Sequence, residues 1–509
     1  MDWTQTRPAD LDSRWPGQLA GIDMGSNSFR LEIGQVIQGR YRRVDYLKET
    51  VRLGAGLDAD GLLTDAAAER GLACLARFAQ RLDGFSPQQV RAVATQTLRE
   101  ARNRDAFLAR AQDALGMGIE VISGREEARL IFAGVARLQP SALPRLVVDI
   151  GGRSTEMILG HGFKPLRAES FGVGSVSLSM KYFGDGRFTE SAFQQAQVAA
   201  GAELEVALEP FAPAHWQEAL GASGTVGAVS QLLAASGITD GSITTAGLDW
   251  LTAQCLRAEH IDKLDLPSLR DDRRAVIAGG IVILNTLATQ FGIATLLPAR
   301  GALRQGVIFD LDERLQATAL HQDGHDVRDG SVRELQRRFM VDINQAKRVS
   351  SVAEHLYSGV QPASGAEARR ELLWASALHE MGMMVSHHDH HRHSAYLLAH
   401  VDAPGFSQSQ LKRLAELVLG QRGGLRKLEG SLAQQNFAWQ VLCLRLAIIK
   451  CHARGAVDPL ALNLVRSGES ASLSFSHDWA QANPRKLHQV RDEVQAWSRV
   501  GAIRLEIGR

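Results

Sequence analysis

The chain has 509 residues, 45% hydrophobic and 22% charged, enough to build several cores. A formal net charge of +1 excludes a global field that gathers polyanions, so no nucleic-acid partner is expected and any anion site must be local. Cys74, Cys255, Cys443 and Cys451 form no CxxC and no zinc spacing, and read as reduced thiols of a cytoplasmic protein. The first 18 residues are polar with two prolines and do not read as a signal peptide. No apolar run reaches the ~18–20 residues of a membrane span. The best one, residues 275–291, is interrupted by Asn285, Thr286 and Gln290 and reads as a buried helix.

In chain order, residues 19–22 read as a strand entering a Gly turn, 30–34 as its return and 40–53 as a further alternating strand. Residues 66–82 carry helical spacing. Residues 90–94 are a strand, and Thr95-Gln96-Thr97-Leu98-Arg99 opens a helix just past its end, where α/β sheets place ligands. A strand over 118–122 leads to a helix running from Gly124 to about Leu138. After a connector, residues 146–160 form the second strand, turn and strand. Gly-rich links at 170–175 and 221–225 each enter a helix, whose free N–H groups favour anions. Helical periods dominate 312–454. Strands return at 461–465, 471–475 and 502–507, around a helix over 484–498.

Two of these stretches are copies. Asp23-Met24-Gly25-Ser26-Asn27-Ser28-Phe29-Arg30 through Gly34 matches Asp149 through Gly160 without a gap: Asp23 with Asp149, Gly25 with Gly151, Ser28 with Ser154. Arg30 falls where Glu156 stands. Repetition at this spacing indicates two duplicated lobes with a cleft between them. Backbone N–H groups and hydroxyls at each turn suit phosphate oxygens, and the flanking carboxylates suit a hard cation.

Paired turns of this kind resemble the actin and sugar-kinase superfamily. Gly21 to Arg30, Glu126-Glu127-Ala128-Arg129, Asp149 to Glu156 and Gly301-Ala302-Leu303-Arg304-Gln305-Gly306 resemble the exopolyphosphatase and guanosine pentaphosphate phosphatase family. Leu378-His379-Glu380-Met381-Gly382, His391 to Tyr396 and Phe475-Ser476-His477-Asp478-Trp479 resemble its long bacterial members. The resemblance implies an α/β fold: actin-like (ribonuclease H-like) lobes over 1–135 and 136–311 around a catalytic cleft, an all-α HD-like domain over 312–454, and a small α+β domain over 455–509. Arg153 departs from the family's third turn glycine, and by charge it is expected on a phosphate oxygen.

Hydrolysis of a terminal phosphoryl group needs a positioned water, a base and neutralised phosphate oxygens. The family match makes Glu127 the expected base, although residue pattern alone does not separate it from Glu126. Arg99 is expected to offset transition-state charge. Asp149 and Glu156 are the expected Mg²⁺ ligands, with Asp23 adding to the metal or orienting water. Ser26, Asn27, Ser28, Arg30, Gly152, Arg153, Ser154, Thr155, Gly224 and Thr225 are expected on phosphate. The implied reaction is processive, Mg²⁺-dependent release of orthophosphate from inorganic polyphosphate. The alternatives are the same chemistry on guanosine pentaphosphate (pppGpp) or a non-catalytic sensor. K⁺ as activator, a homodimer, and peripheral association with the inner face of the membrane are further expectations from the family.

The histidines between His387 and His393 invite a metal reading. An HD site, however, needs a His-Asp pair where His379-Glu380 stands, and Met383 takes the place of the second His of HExxH. They are expected to pack and hydrogen-bond, some contacting polyphosphate. Lys412, Arg413, Arg422, Arg426 and Lys427 form either a solvated face or a track for the chain.

Overall fold

The computed structural model describes residue 15 and residues 17–319, 326–360 and 365–508, so most of the polar opening lies outside the described residues. The chain divides into two compact units, 1–322 and 323–509.

Unit 1 holds two sheets. The first consists of β1 (Leu19–Met24), β2 (Phe29–Ile37), β3 (Arg40–Glu49), β4 (Val90–Ala94) and β5 (Ile119–Val121), in the order β3-β2-β1-β4-β5. β1, β2 and β3 are antiparallel neighbours, and β4 and β5 run parallel to β1. The second consists of β6 (Arg145–Ile150), β7 (Thr155–His161), β8 (Lys164–Phe171), β9 (Glu218–Ala222), β10 (Ile243–Thr244) and β11 (Thr295–Pro298), ordered β10-β11-β9-β6-β7-β8. Counted from β8 it repeats the first sheet, with β10 added antiparallel at the edge. The duplication read from the turns is thus a duplicated lobe. β1 and β6 are buried at every residue, which is why each reads as a continuous apolar run up to its acid.

The helices Gly124–Leu138 and Leu303–Ala319 pack backbone to backbone. A side chain at Gly134, Gly301 or Gly306 would collide with main chain of the other segment. Their apolar residues join Val93 and Ile122 of the first lobe to Val147, Ile158 and Leu220 of the second in one cluster. The lobe limits expected at 135/136 and 311/312 therefore fall inside shared helices. The apolar stretch 275–291 is the buried helix Ile277–Gln290. No described helix is long and apolar enough to cross a membrane, and all four cysteines are free and buried.

Unit 2 is helical from Val327–Arg338 to Gln435–Cys451, followed by β12 (Asn463–Ser467), β13 (Ser470–Ser474) and β14 (Arg504–Ile507). β13 and β14 are parallel, so the chain must cross over between them, and the helix Pro484–Val500 is that crossover. Residues 455–509 were expected as a domain of their own. Instead Leu464, Leu473, Trp497 and Leu505 share one apolar core with Leu356, Leu372 and Trp439. A three-stranded sheet has too little apolar surface to stand alone and borrows the helices' core.

Candidate active site

The two Gly turns meet. A side chain on Gly152 would touch Val176 at 3.1 Å and the Ser26 Cβ at 3.2 Å, with the Asn27 backbone N 3.7 Å away. Between the turns lies a cavity of about 80 Å³. Its rim is hydroxyl and amide: Ser26, Asn27 and Ser28 from one turn, Gly152 and Ser154 from the other, and Gly224 with Thr225 at the start of the helix Ser223–Ala235. Asp23, Arg30, Glu127, Asp149 and Arg273 supply its charges.

Glu126 and Glu127 part company here. Both lie in the first turn of the helix Gly124–Leu138, which Ser123 caps by accepting from the Glu126 N–H at 3.2 Å. Glu126 turns inward. Its carboxylate accepts from Arg129 Nε at 2.7 Å and Nη2 at 2.8 Å, and Arg91 approaches at 3.7 Å. Asp310 takes Arg91 at 2.7 Å and Arg129 at 2.5 Å, closing a buried ionic network. Glu127, about 100° further round the helix, faces the cavity and accepts from Arg99 Nη1 at 2.8 Å.

Four expected residues are placed elsewhere. Arg99 holds Glu127 and donates to the Ile122 carbonyl at 3.0 Å, outside the cavity lining. Arg153 does not reach the cavity: its guanidinium pairs with Glu100 at 2.6 Å and donates to the Gly54 carbonyl at 3.3 Å. Thr155 is fully buried and donates to the Val173 carbonyl at 2.6 Å. Glu156, opposite Asp149 on the neighbouring strand, accepts from the Ser170 hydroxyl at 2.8 Å and is not in the cavity lining.

The Ppx/GppA phosphatase family matches residues 33–315, more than half of the chain, and domain III of the same family matches residues 327–494. The chain belongs to the Ppx/GppA phosphatase family. Among solved structures, an exopolyphosphatase-like protein is 25% identical, with 59% of this chain and 99% of its own aligned and a TM-score of 0.53. An exopolyphosphatase from Cytophaga hutchinsonii is 24% identical over 58% of this chain and 98% of its own, TM-score 0.53, and shares the fold. The Aquifex aeolicus PPX-GPPA enzyme is 26% identical over 58% and 99%, TM-score 0.49. As a member of the Ppx/GppA phosphatase family, the chain is a hydrolase acting on phosphoric anhydrides.

The electrostatics of this Ppx/GppA cavity are unbalanced towards acid. Burial, reinforced by Glu127 and Asp23, pushes the Asp149 carboxyl up to about 7. Burial also raises Glu127 against the pull of Arg99, and burial with Glu127 and Asp149 raises Glu156 well above the usual range. Among the described residues the Asp149 carboxylate has no hydrogen bond or ion pair, although the residue is only 9% exposed. Uncompensated, nearly buried carboxylate oxygen is what a hard divalent cation would satisfy, so the donor set fits Mg²⁺. No three His, Cys, Asp or Glu side chains converge on one point among the described residues. An ion held by one or two carboxylates, water and phosphate needs no such convergence.

Sequence reasoning missed Arg273. It lines the cavity beside Gly224, where any side chain would strike its guanidinium. Burial and the nearby Arg30 depress its pKa, and among the described residues it has no ion pair. In the run Asp271-Asp272-Arg273-Arg274 it reads as one more solvated charge. Ser223 was missed too. It lines the cavity at φ 91°, a strained conformation outside glycine, and its Oγ accepts from the Thr225 N–H at 3.2 Å.

Of the unit 2 histidines, His390 and His391 have a buried Nδ1 with no hydrogen-bond partner among the described residues, while His379 is hydrogen-bonded. His379 Nδ1 lies 2.7 Å from the Ser376 carbonyl, and Glu380 pairs with Arg454 at 2.5 Å. Of the five cations, Arg413 is committed to Glu371 at 2.7 Å and Gln440 at 2.8 Å, while Lys412, Arg422, Arg426 and Lys427 are exposed.

Proposed function

We propose that this phosphatase is an exopolyphosphatase, releasing orthophosphate from the end of inorganic polyphosphate. The observation that carries the reading is Glu127 in a cavity walled by two opposed hydroxyl-and-amide turns. Such walls match phosphate on both sides. Among the described residues that line it there is no aromatic ring on which a nucleobase could stack, which favours polyphosphate over pppGpp.

In this reading Ser26, Asn27, Ser28, Gly152 and Ser154 hold the terminal phosphate oxygens, and Arg30 and Arg273 offset their charge. Arg99 orients Glu127 through their ion pair. Glu127 takes a proton from water as that water's oxygen bonds to the terminal phosphorus. The bridging P–O bond breaks, and the shortened chain leaves with the electron pair on its own oxygen. A buried carboxylate with a raised pKa is a better base than one in water. Asp149 would hold Mg²⁺, with Glu156, opposite it across the strand pair, acting on the ion through water, and the ion would supply charge neutralisation at the phosphate oxygens. The exposed Lys412, Arg422, Arg426 and Lys427 are offered as polyanion contacts of unit 2.

The test is phosphate release from polyphosphate and pppGpp side by side, with and without Mg²⁺. Release from polyphosphate is expected to dominate, and Glu127→Gln to lose about 10²–10⁴-fold in kcat. Turnover of pppGpp alone would transfer the site to the nucleotide, and silence on both would end the enzymatic reading.

A further inference from the structure

The motif Gly301 to Gly306 is absorbed only in part by the chemistry above. Its glycines bring two helices together, but Arg304 and Gln305 are not among the described residues that line the cavity. What they do touch is Glu32, a fully buried carboxylate in the middle of β2. Gln305 Nε2 donates to both Glu32 oxygens, at 2.7 and 2.8 Å, and Gln305 Oε1 accepts from the Ala302 N–H at 2.9 Å. The Tyr41 hydroxyl donates to Glu32 at 2.5 Å, and Arg304 Nε donates to it at 3.2 Å. The Arg304 guanidinium also lies 5.2 Å from the centre of the Tyr46 ring. Held at its Nε edge and over that ring, the guanidinium turns its Nη1 towards Asp23 Oδ2, 3.9 Å away, the oxygen that Arg30 approaches at 3.4 Å.

The backbone makes this linkage stiff. The Arg304 carbonyl runs so close to β1 that a side chain on Gly21 would meet it at 3.0 Å. The same helix abuts the Glu127 helix at Gly134 and Gly306. One rigid body therefore relates Asp23, Glu127 and Arg304. Buried charges of opposite sign with satisfied hydrogen bonds fix geometry more than they add stability.

We propose that Arg304, clamped by Glu32, is a positioning residue: it holds the Asp23 carboxylate in place and offsets negative charge beside Asp149 and Glu127. The role rests on the phosphatase site proposed above. Glu32 and Gln305 act through Arg304, and Arg304 acts through Asp23.

Steady-state polyphosphate hydrolysis by the full-length chain tests this, with thermal melting of each variant alongside. Arg304→Gln is expected to lower kcat by about tenfold or more with KM within about twofold. Arg304→Lys should recover part of the loss, since it keeps the charge without the fork. Glu32→Gln should lower kcat in the same direction. The double variant Glu32→Gln/Arg304→Gln should be no slower than Arg304→Gln alone, because both changes break one linkage. A loss confined to KM would make Arg304 a substrate contact and overturn the proposal. So would additive losses in the double variant, or unchanged kcat in both Glu32→Gln and Arg304→Lys. The last pair settles the matter even if Arg304→Gln does not fold. A wild-type chain silent on both substrates overturns the phosphatase reading instead, and is seen before any variant is compared.

Discussion

The two Gly hairpins have the same backbone and opposite electrostatics. In the first, Asp23 stands across the strand pair from Arg30 and is paired with it at 3.4 Å. In the second, the same register position sets Asp149 opposite Glu156, and both carboxyls are driven up. Directly opposed side chains are the strongest local interaction a sheet offers, favourable for unlike charges and adverse for like ones. Arg30 against Glu156 thus makes the first hairpin self-compensated and leaves the second with two opposed carboxyls.

Removing the acid from the second hairpin should break this contrast most severely. Asp149→Asn is expected to cost about 10³-fold or more in turnover, because charge offset at the phosphate is the largest catalytic contribution such a site makes. It should also raise the melting temperature of the metal-free protein, by about 2 °C or more, since a buried uncompensated charge disappears. Mg²⁺, which should raise the melting temperature of the wild type, should then have no effect. A calorimetric scan in EDTA and in Mg²⁺ reads both signs. A variant that melts lower in EDTA and still responds to Mg²⁺ would move the ion away from Asp149.

Titration sharpens the same contrast. The Asp149 carboxyl stands near 7 in the folded chain against 3.8 ordinarily. The folded state therefore binds more protons than the unfolded one between these values, and the site loses stability as pH rises through that window, on the order of 4 kcal/mol in total. A cation competes with those protons. Mg²⁺ affinity should fall below about pH 7, approaching tenfold per unit. Titrating Mg²⁺ at pH 6 and pH 8 checks this, and equal affinities would exclude a raised ligand carboxyl.

How much of this was legible in the residues follows from what each feature depends on. The hairpins were legible because a turn is local chemistry and its copy repeats it position for position. The choice of Glu127 over Glu126 was not, because two adjacent acids in one helical turn differ only in which way they point. That direction is set by Arg91 on β4 and Asp310 on a helix some 180 residues later. Arg273 stayed hidden for the converse reason: nothing in a run of four charges marks the one that faces the cavity. The C-terminal strands were read within a few residues, yet their lack of independence was not, since a shared core leaves no mark on local periodicity.

The smallest expected effect concerns Arg153, where charge alone pointed to the substrate. Its guanidinium instead reaches from the second turn to Glu100 and to the Gly54 carbonyl of the first lobe, with its Cδ packed against Gly54. The two members of that ion pair are 25% and 34% exposed, so it is worth at most about 1 kcal/mol and is screened by salt. Arg153→Gly restores the glycine usual at this turn. It should leave KM for polyphosphate within about twofold, because Ser26, Asn27, Ser28 and Ser154 still line the phosphate site without it. Any change should fade in high salt, as expected when only a link between lobes is lost. A rise in KM that grows with chain length would instead place Arg153 on the polyphosphate, and the second hairpin would then carry a cation of its own after all.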